Sequence, residues 1–151
     1  MQKIDKEWGP YRMTLYPEAT RQAYETLPAA GEDDVLHRML RHHLPRVAPS
    51  ALRLLEDMGL DLQKLPEARP LSEPDENGEL LFLCSARLCG TLHAGGDITP
   101  RQSVEEEGVS MIFVGTSDDF RTPPLPDAEE TLEIRFVLSF LFDPTFFDTL
   151  A

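Results

Sequence analysis

From Leu80 to Leu92 every even position (Leu80, Phe82, Cys84, Ala86, Leu88, Gly90, Leu92) is apolar or small, while the odd positions turn mostly polar after Leu83. A period of two puts alternate side chains on opposite sides of an extended backbone, so this stretch predicts a strand with one buried face, bent at Gly90. "TLEIRFVLSFLF", residues 131–142, repeats the pattern. Leu132, Ile134, Phe136, Leu138, Phe140 and Phe142 fall on one face, and Thr131, Glu133, Arg135 and Ser139 on the other. "GVSMIFVG", residues 108–115, is apolar on both faces over its middle, as a central strand is. Three strands of a largely antiparallel sheet follow from these runs.

The first half carries a different period. Pro17 suits a first helical turn, and good helix formers follow it in "PEATRQAYETL". In "GEDDVLHRMLRHHL" the acids Glu32, Asp33 and Asp34 lie where a helix dipole is positive, and Arg41, His42 and His43 where it is negative. Leu36, Met39, Leu40 and then His43 or Leu44 recur at three-to-four spacing. A third helix is predicted from Pro49 or Ser50, with Leu52, Leu55 and Met58 inward and a left-handed cap at Gly59. "LPEARPLSEPDENG", residues 65–78, reads as an extended connection ending in an Asn-Gly turn. The expected architecture is α+β in a single domain, 1–151. An N-terminal layer of two to three amphipathic helices, about 17–60, packs on a C-terminal sheet of three or more strands, about 79–147. At 151 residues and 41% hydrophobic content the chain has the means to bury one core.

Several chemistries are weighed and set aside. No apolar run reaches the roughly 18–20 residues of a membrane helix, and "MQKIDKEWGPYR" lacks a signal-peptide core, so a soluble cytoplasmic protein with no membrane partner is expected. Cys84, Cys89 and His93 look at first like a metal site. Along one strand the two cysteines point to opposite faces, while Cys89 and His93 stand about 13 Å apart at roughly 3.3 Å per residue. They cannot hold one ion unless a turn within "SARLCG" folds the segment back, so no metal or other cofactor is expected. His37, His42 and His43 form no i,i+3 or i,i+4 pair and read as partly exposed side chains near a helix C-terminus. No serine has the context of a catalytic nucleophile, and no phosphate loop occurs. The nearest thing to a catalytic fragment is "LHAGGD", with His93 and Asp97 at a strand end, which an ordinary Gly-Gly turn also explains.

Charge is the feature these readings leave over. The formal net charge is −13, and residues 1–70 carry −1 against −12 for residues 71–151. Nucleic acid is thereby excluded as a direct partner, because phosphate binding needs concentrated cations. The acids gather in Glu105, Glu106 and Glu107 before the middle strand, and in Asp118, Asp119, Asp127, Glu129 and Glu130 between proline-stiffened stretches. In an antiparallel arrangement these two groups flank opposite ends of the sheet; in a parallel one they would concentrate at one end. Phe146 and Phe147 near the C-terminus either pack on the core or anchor a partner. An acidic rim beside an apolar anchor suits capture of a basic protein. In size, charge and lack of a catalytic motif the chain resembles bacterial immunity proteins that block toxins, cationic nucleases above all. That resemblance implies a non-catalytic inhibitor with a basic toxin as partner; it is compositional and assigns no residue. A ligand or enzyme site near His93 and Asp97, and an assembly protein such as a homodimer joined through a sheet edge, are the alternatives.

Overall fold

The structure, a computed structural model, describes residues 3–9, 11–27, 35–71, 73–94, 104–115, 120, 122–125, 128 and 130–141. In chain order these form β1 (Ile4–Trp8), β2 (Tyr11–Leu15), α1 (Pro17–Glu25), α2 (Val35–Val47), α3 (Pro49–Asp57), β3 (Glu67–Pro70), β4 (Glu79–Ala94), β5 (Val104–Glu106), β6 (Val109–Val114) and β7 (Thr131–Leu141), with a 3-10 turn at Leu62–Lys64. The class is α+β: among the described residues, an antiparallel sheet of seven strands with three helices. Its order is β1-β2-β4-β7-β6-β5, and β3 adds to β4 beside that path.

The three strands expected from the alternation form as β4, β6 and β7, and the three helices form where the three-to-four spacing put them. Helix α2 continues through Pro45 to Val47, and α3 is followed by Gly59 at φ 95, whose missing Cβ leaves room for the carbonyl of Pro17. The expected helical N-terminal layer needs correction. The chain opens with the hairpin β1–β2, which belongs to the sheet, so strands come first. Five residues on each side of the turn are too few for the period to declare itself against its neighbours, although "YRMTL" does alternate buried and outward positions. Gly9, at φ 58, suits the first position of the two-residue loop between Trp8 and Tyr11. The proline-rich connection also hides a strand, since β3 pairs with Phe82–Ser85 of β4. The run expected as a central strand, β6, lies between β7 and the three-residue β5; β4 and β7 are the inner pair.

The even residues of β4 and β7 (Phe82, Cys84, Ala86 and Leu88; Leu132, Ile134, Phe136 and Leu138) are buried with Tyr11, Met13 and Leu15 of β2 and with Leu40, Leu44, Ala51 and Leu55 of the helices. The tip of the β1–β2 hairpin reaches the far side of the sheet. Trp8 meets Phe113 of β6 at a tilt and Tyr11 meets it edge-on, with centroids 6.0 and 5.0 Å away, and a Cβ on Gly9 would lie 3.0 Å from Val104 of β5. The sheet therefore curls around its apolar face.

The two edges of β4 are finished differently. One pairs with β7 continuously, from Glu79 opposite Leu141 to Cys89 opposite Thr131. The other is shared, with β3 on Phe82–Ser85, β2 on Gly90–Ala94, and α1 across the gap. There the Tyr24 hydroxyl donates to the carbonyl of Arg87 (2.8 Å) and accepts from its N–H (3.0 Å). Thr20 Oγ1 accepts from the N–H of Cys89 (2.9 Å), and the N–H of Tyr16 donates to its carbonyl (2.9 Å). Side chains and the first turn of a helix thus make the bonds that a neighbouring strand would make. Burial raises the Tyr24 hydroxyl well above the ordinary tyrosine range, which keeps the proton it donates. Gly90 permits the crossing to β2, because a Cβ there would lie 2.2 Å from the carbonyl oxygen of Thr14.

Candidate binding surface

The odd residues of β4 and β7 face away from the helices, and the alternation predicts them as the polar side. They are mixed in polarity, and between Leu83 and Cys89 of β4 they are buried, whereas Glu79, Leu81 and His93 are exposed. Glu133 has 0% exposure and Arg87 8%, and Ser85 is buried as well. Glu133 Oε2 accepts from the N–H (3.0 Å) and hydroxyl (2.7 Å) of Thr122, and its Oε1 accepts from Nε of Arg135 (2.7 Å). Arg87 lies beside it, with Nε 3.9 Å from Oε2. The Arg87 guanidinium donates to Thr122 Oγ1 (3.0 Å), to the Thr122 carbonyl (2.8 Å) and to Thr131 Oγ1 (2.8 Å), and lies 3.8 Å from the centre of the Phe120 ring. Burial pulls the Arg87 guanidinium down from its ordinary value, opposed by the carboxylate of Glu133. Two arginines around one buried carboxylate thus fasten Phe120 and Thr122, which belong to the acid-rich connection between β6 and β7. Sequence reasoning missed this clasp; the one available signal was an Arg and a Glu placed on the inner pair of strands.

The acids expected to meet a partner are divided by the fold. Glu105, exposed on β5, accepts from the hydroxyl of Ser110 (3.0 Å). Glu106 lies on β5 next to it. Glu107 and Gly108, at φ 49 and 82, form the two-residue β5–β6 loop, both in the left-handed region that a type I′ turn requires. The Glu107 carboxylate accepts from the N–H of Ser50 (3.2 Å), in the first turn of α3, whose N-cap Ala48 offers no side-chain cap. Glu107 therefore has a structural task at a positive helix end. Glu130 is exposed, takes a hydrogen bond from the hydroxyl of Thr91, and its carbonyl accepts from the N–H of Gly90 (3.1 Å). Because β6 and β7 are antiparallel, Glu105–Glu107 and Glu130 stand at opposite ends of the sheet. Asp118, Asp119, Asp127, Glu129, Phe146, Phe147 and Asp97 lie outside the described residues, as do Glu32, Asp33 and Asp34.

His93 lies near the end of β4, exposed, with Nε2 2.8 Å from Oγ1 of Thr14, whose hydroxyl donates to Oδ1 of Asp5 (2.7 Å). An ionised Asp5 accepts only, so the Thr14 proton points to it and His93 Nε2 carries its own hydrogen. This row spans three adjacent strands and borders an open groove of about 530 Å³ lined by Asp5, Lys6, Glu7, Arg12, Met13 and His93.

Cys84 and Cys89 are buried free thiols on one continuous strand, and burial raises the pKa of both. Among the described residues no group of three or more His, Cys, Asp or Glu side chains is placed to hold a metal ion, and no helix is long and apolar enough to cross a membrane. His37 and His43 are buried, contrary to the partly exposed positions expected. His37 Nε2 donates to the carbonyl of Leu65 (2.8 Å), while His42 bonds Arg46 (2.8 Å) and stacks edge-on against His43. Helix α2 is covered by the 65–70 segment on the side that the sequence left open.

Compared with models of known protein families, with curated proteins and with solved structures, the chain matches none.

Proposed function

We propose that this protein is a non-catalytic acidic binding protein that captures and neutralises a basic protein, as an immunity protein blocks a bacterial toxin. The observation that carries the proposal is the −12 held by residues 71–151. A field of that sign steers a cationic partner into contact, and its effect fades with salt. The clasp supports the reading in a second way. Arg87 and Glu133 hold the start of the acid-rich connection against a rigid strand pair, which lowers the ordering cost of binding through that connection. Exposed Glu130 lies at the end of that connection, and exposed Glu105 adds negative charge at the opposite end of the sheet. Glu107 contributes charge while its carboxylate stays engaged with α3.

The test is affinity capture from the source organism's lysate at low salt and at roughly 0.5 M salt, where exposed charges are screened. One stoichiometric basic protein, released by salt, is the expected result. Reversing the charge of Glu105 and Glu130 together with Asp118 and Asp119 should then weaken capture and flatten its salt dependence. Undiminished affinity in that variant sinks the electrostatic reading.

A second reading rests on the row Asp5–Thr14–His93 beside its groove: a small-ligand site with His93 as its polar centre. His93→Ala should then abolish a ligand-induced rise in melting temperature while leaving the unliganded transition in place. A ligand that stabilises both forms equally removes His93 from the site.

A further inference from the structure

Among the described residues three strands have a single neighbour in the sheet, and they are not equivalent: β3 is four residues long and ends in Pro70, which has no N–H to offer a further strand. β5 is three residues long and its Val104 sits against Gly9 at the hairpin tip. β1 is five residues long, mostly exposed, and carries an apolar side chain, Ile4, that is 43% exposed. An exposed edge strand invites another strand to pair with it. We propose that a second copy of this chain pairs antiparallel with β1, forming a two-fold dimer in which Ile4 faces Ile4. This inference is independent of the capture of a basic partner.

Pleat and charge together select that register. Trp8 and Tyr11 close a two-residue loop, so they form a hydrogen-bonded pair, and the even residues of β1 turn their backbone groups towards β2. The N–H and C=O groups of Asp5 and Glu7, with those of Lys3 just ahead of the strand, point outwards. Two identical strands related by a two-fold axis across the sheet must set residues of equal parity opposite each other, because facing residues share a side of the sheet. Few registers remain. Centring on Asp5 or Glu7 sets like carboxylates face to face. Centring on Lys6 sets Lys6 against Lys6 and Asp5 against Glu7. Centring on Ile4 instead puts Lys3 opposite Asp5 of the second copy, and Asp5 opposite Lys3, on either side of an Ile4–Ile4 pair. Opposite charges and apolar groups facing each other are the cross-strand pairs that stabilise sheets. In that register the strands also form their hydrogen bonds through the outward groups of Lys3 and Asp5.

The surroundings fit. Ile4 lies on the same side of the sheet as the start of α1, next to an open groove of about 370 Å³ lined by Lys3, Ile4, Pro17, Glu18, Arg21 and Asp57. The groove leaves space beside this edge for a second strand. Lys6, which discourages pairing centred on itself, falls outside the three central pairs. The net charge of −13 on each copy opposes association at low ionic strength, so the dimer tightens as salt screens that repulsion.

Sedimentation equilibrium at physiological salt, from about 10 μM to about 1 mM, covers the range in which so short an interface associates. The mass should rise from 17.0 kDa towards twice that value. Lys3→Glu alone sets carboxylate against carboxylate at both outer pairs, and Asp5→Lys alone sets ammonium against ammonium there; each variant by itself should stay monomeric. Mixed in equal amounts, the two bring opposite charges together at both pairs, and the mixture should associate about tenfold or more tightly than either alone. A misfolded hairpin cannot regain pairing on mixing, so recovery separates an interface effect from damage. A wild-type chain that remains monomeric at about 1 mM, or a mixture no tighter than its components, overturns the proposal.

Discussion

Along the middle of the β4–β7 pair both faces are largely covered, and by different means. On the helix side Phe82, Cys84, Ala86, Leu88, Ile134 and Phe136 exclude water by packing; on the other side Arg87, Glu133 and Thr122 exclude it by satisfying one another. Apolar contacts are non-directional and tolerate small shifts, whereas a buried carboxylate between two guanidiniums depends on every partner being present. Alternation along a strand thus reports which side is apolar, and leaves open which side is wet.

Replacements on each face put this contrast to the test. Phe136→Ala, in the apolar face, should cost the most, about 3–5 kcal/mol by urea denaturation, from lost burial and the cavity left behind. On the polar face Glu133→Ala should cost roughly 3 kcal/mol, because it strands Arg87 and Arg135 near a covered surface. The informative companion is the double variant Arg87→Met with Glu133→Met. If the clasp contributes mainly orientation, the pair replacement is less damaging than Glu133→Ala, yet amide exchange and proteolysis around Thr122 accelerate. A double variant as unstable as the sum of its singles would show that the two groups do not act together.

Tyr24→Phe tests the edge that a helix completes. It removes one hydroxyl and leaves the N–H and C=O of Arg87 without that partner, costing about 1–3 kcal/mol. It also changes the response to alkali. The folded chain holds the Tyr24 proton more tightly than the unfolded chain does, so its contribution is complete below the ordinary tyrosine pKa and declines as pH rises past about 10. Wild type should therefore lose stability between about pH 10 and 11 more steeply than Tyr24→Phe. Parallel curves would remove Tyr24 as the cause. Smallest is Glu107→Gln, which keeps the backbone strain and removes the charge at the start of α3, for about 0.3–1 kcal/mol. Thermal melts of that variant should differ from wild type by a few degrees and converge with it at high salt.

The helices and the long strands were legible because each has enough residues for its period to repeat. β4 spans 16 residues and β7 spans 11, and in both the even positions carry the apolar face. The β1–β2 hairpin and β3 were not, since five-residue and four-residue strands give barely two repeats, and Pro66 and Pro70 around β3 argue locally for a connection. The candidate surface was half legible. Glu105 and Glu130 are exposed as their charge suggested, whereas Glu107 is drawn to α3 by a helix end more than fifty residues away in sequence. Cys84, Cys89 and His93 lie along one unbroken strand, as the period of two predicted, so no turn between them folds the segment back.

The class, the positions of three helices and three strands, the apolar side of each strand and the uneven placement of negative charge are all written in the order of the residues. They are local or additive properties, set by the period of side chains along a backbone and by counting. Folding had to be complete before a tyrosine hydroxyl could stand in for a strand beside Arg87, before Glu133 could be wholly buried between two arginines, and before Asp5, Thr14 and His93 could form one row. Each depends on groups far apart in the chain meeting within a hydrogen bond's length, and such distances are fixed only when the core has packed.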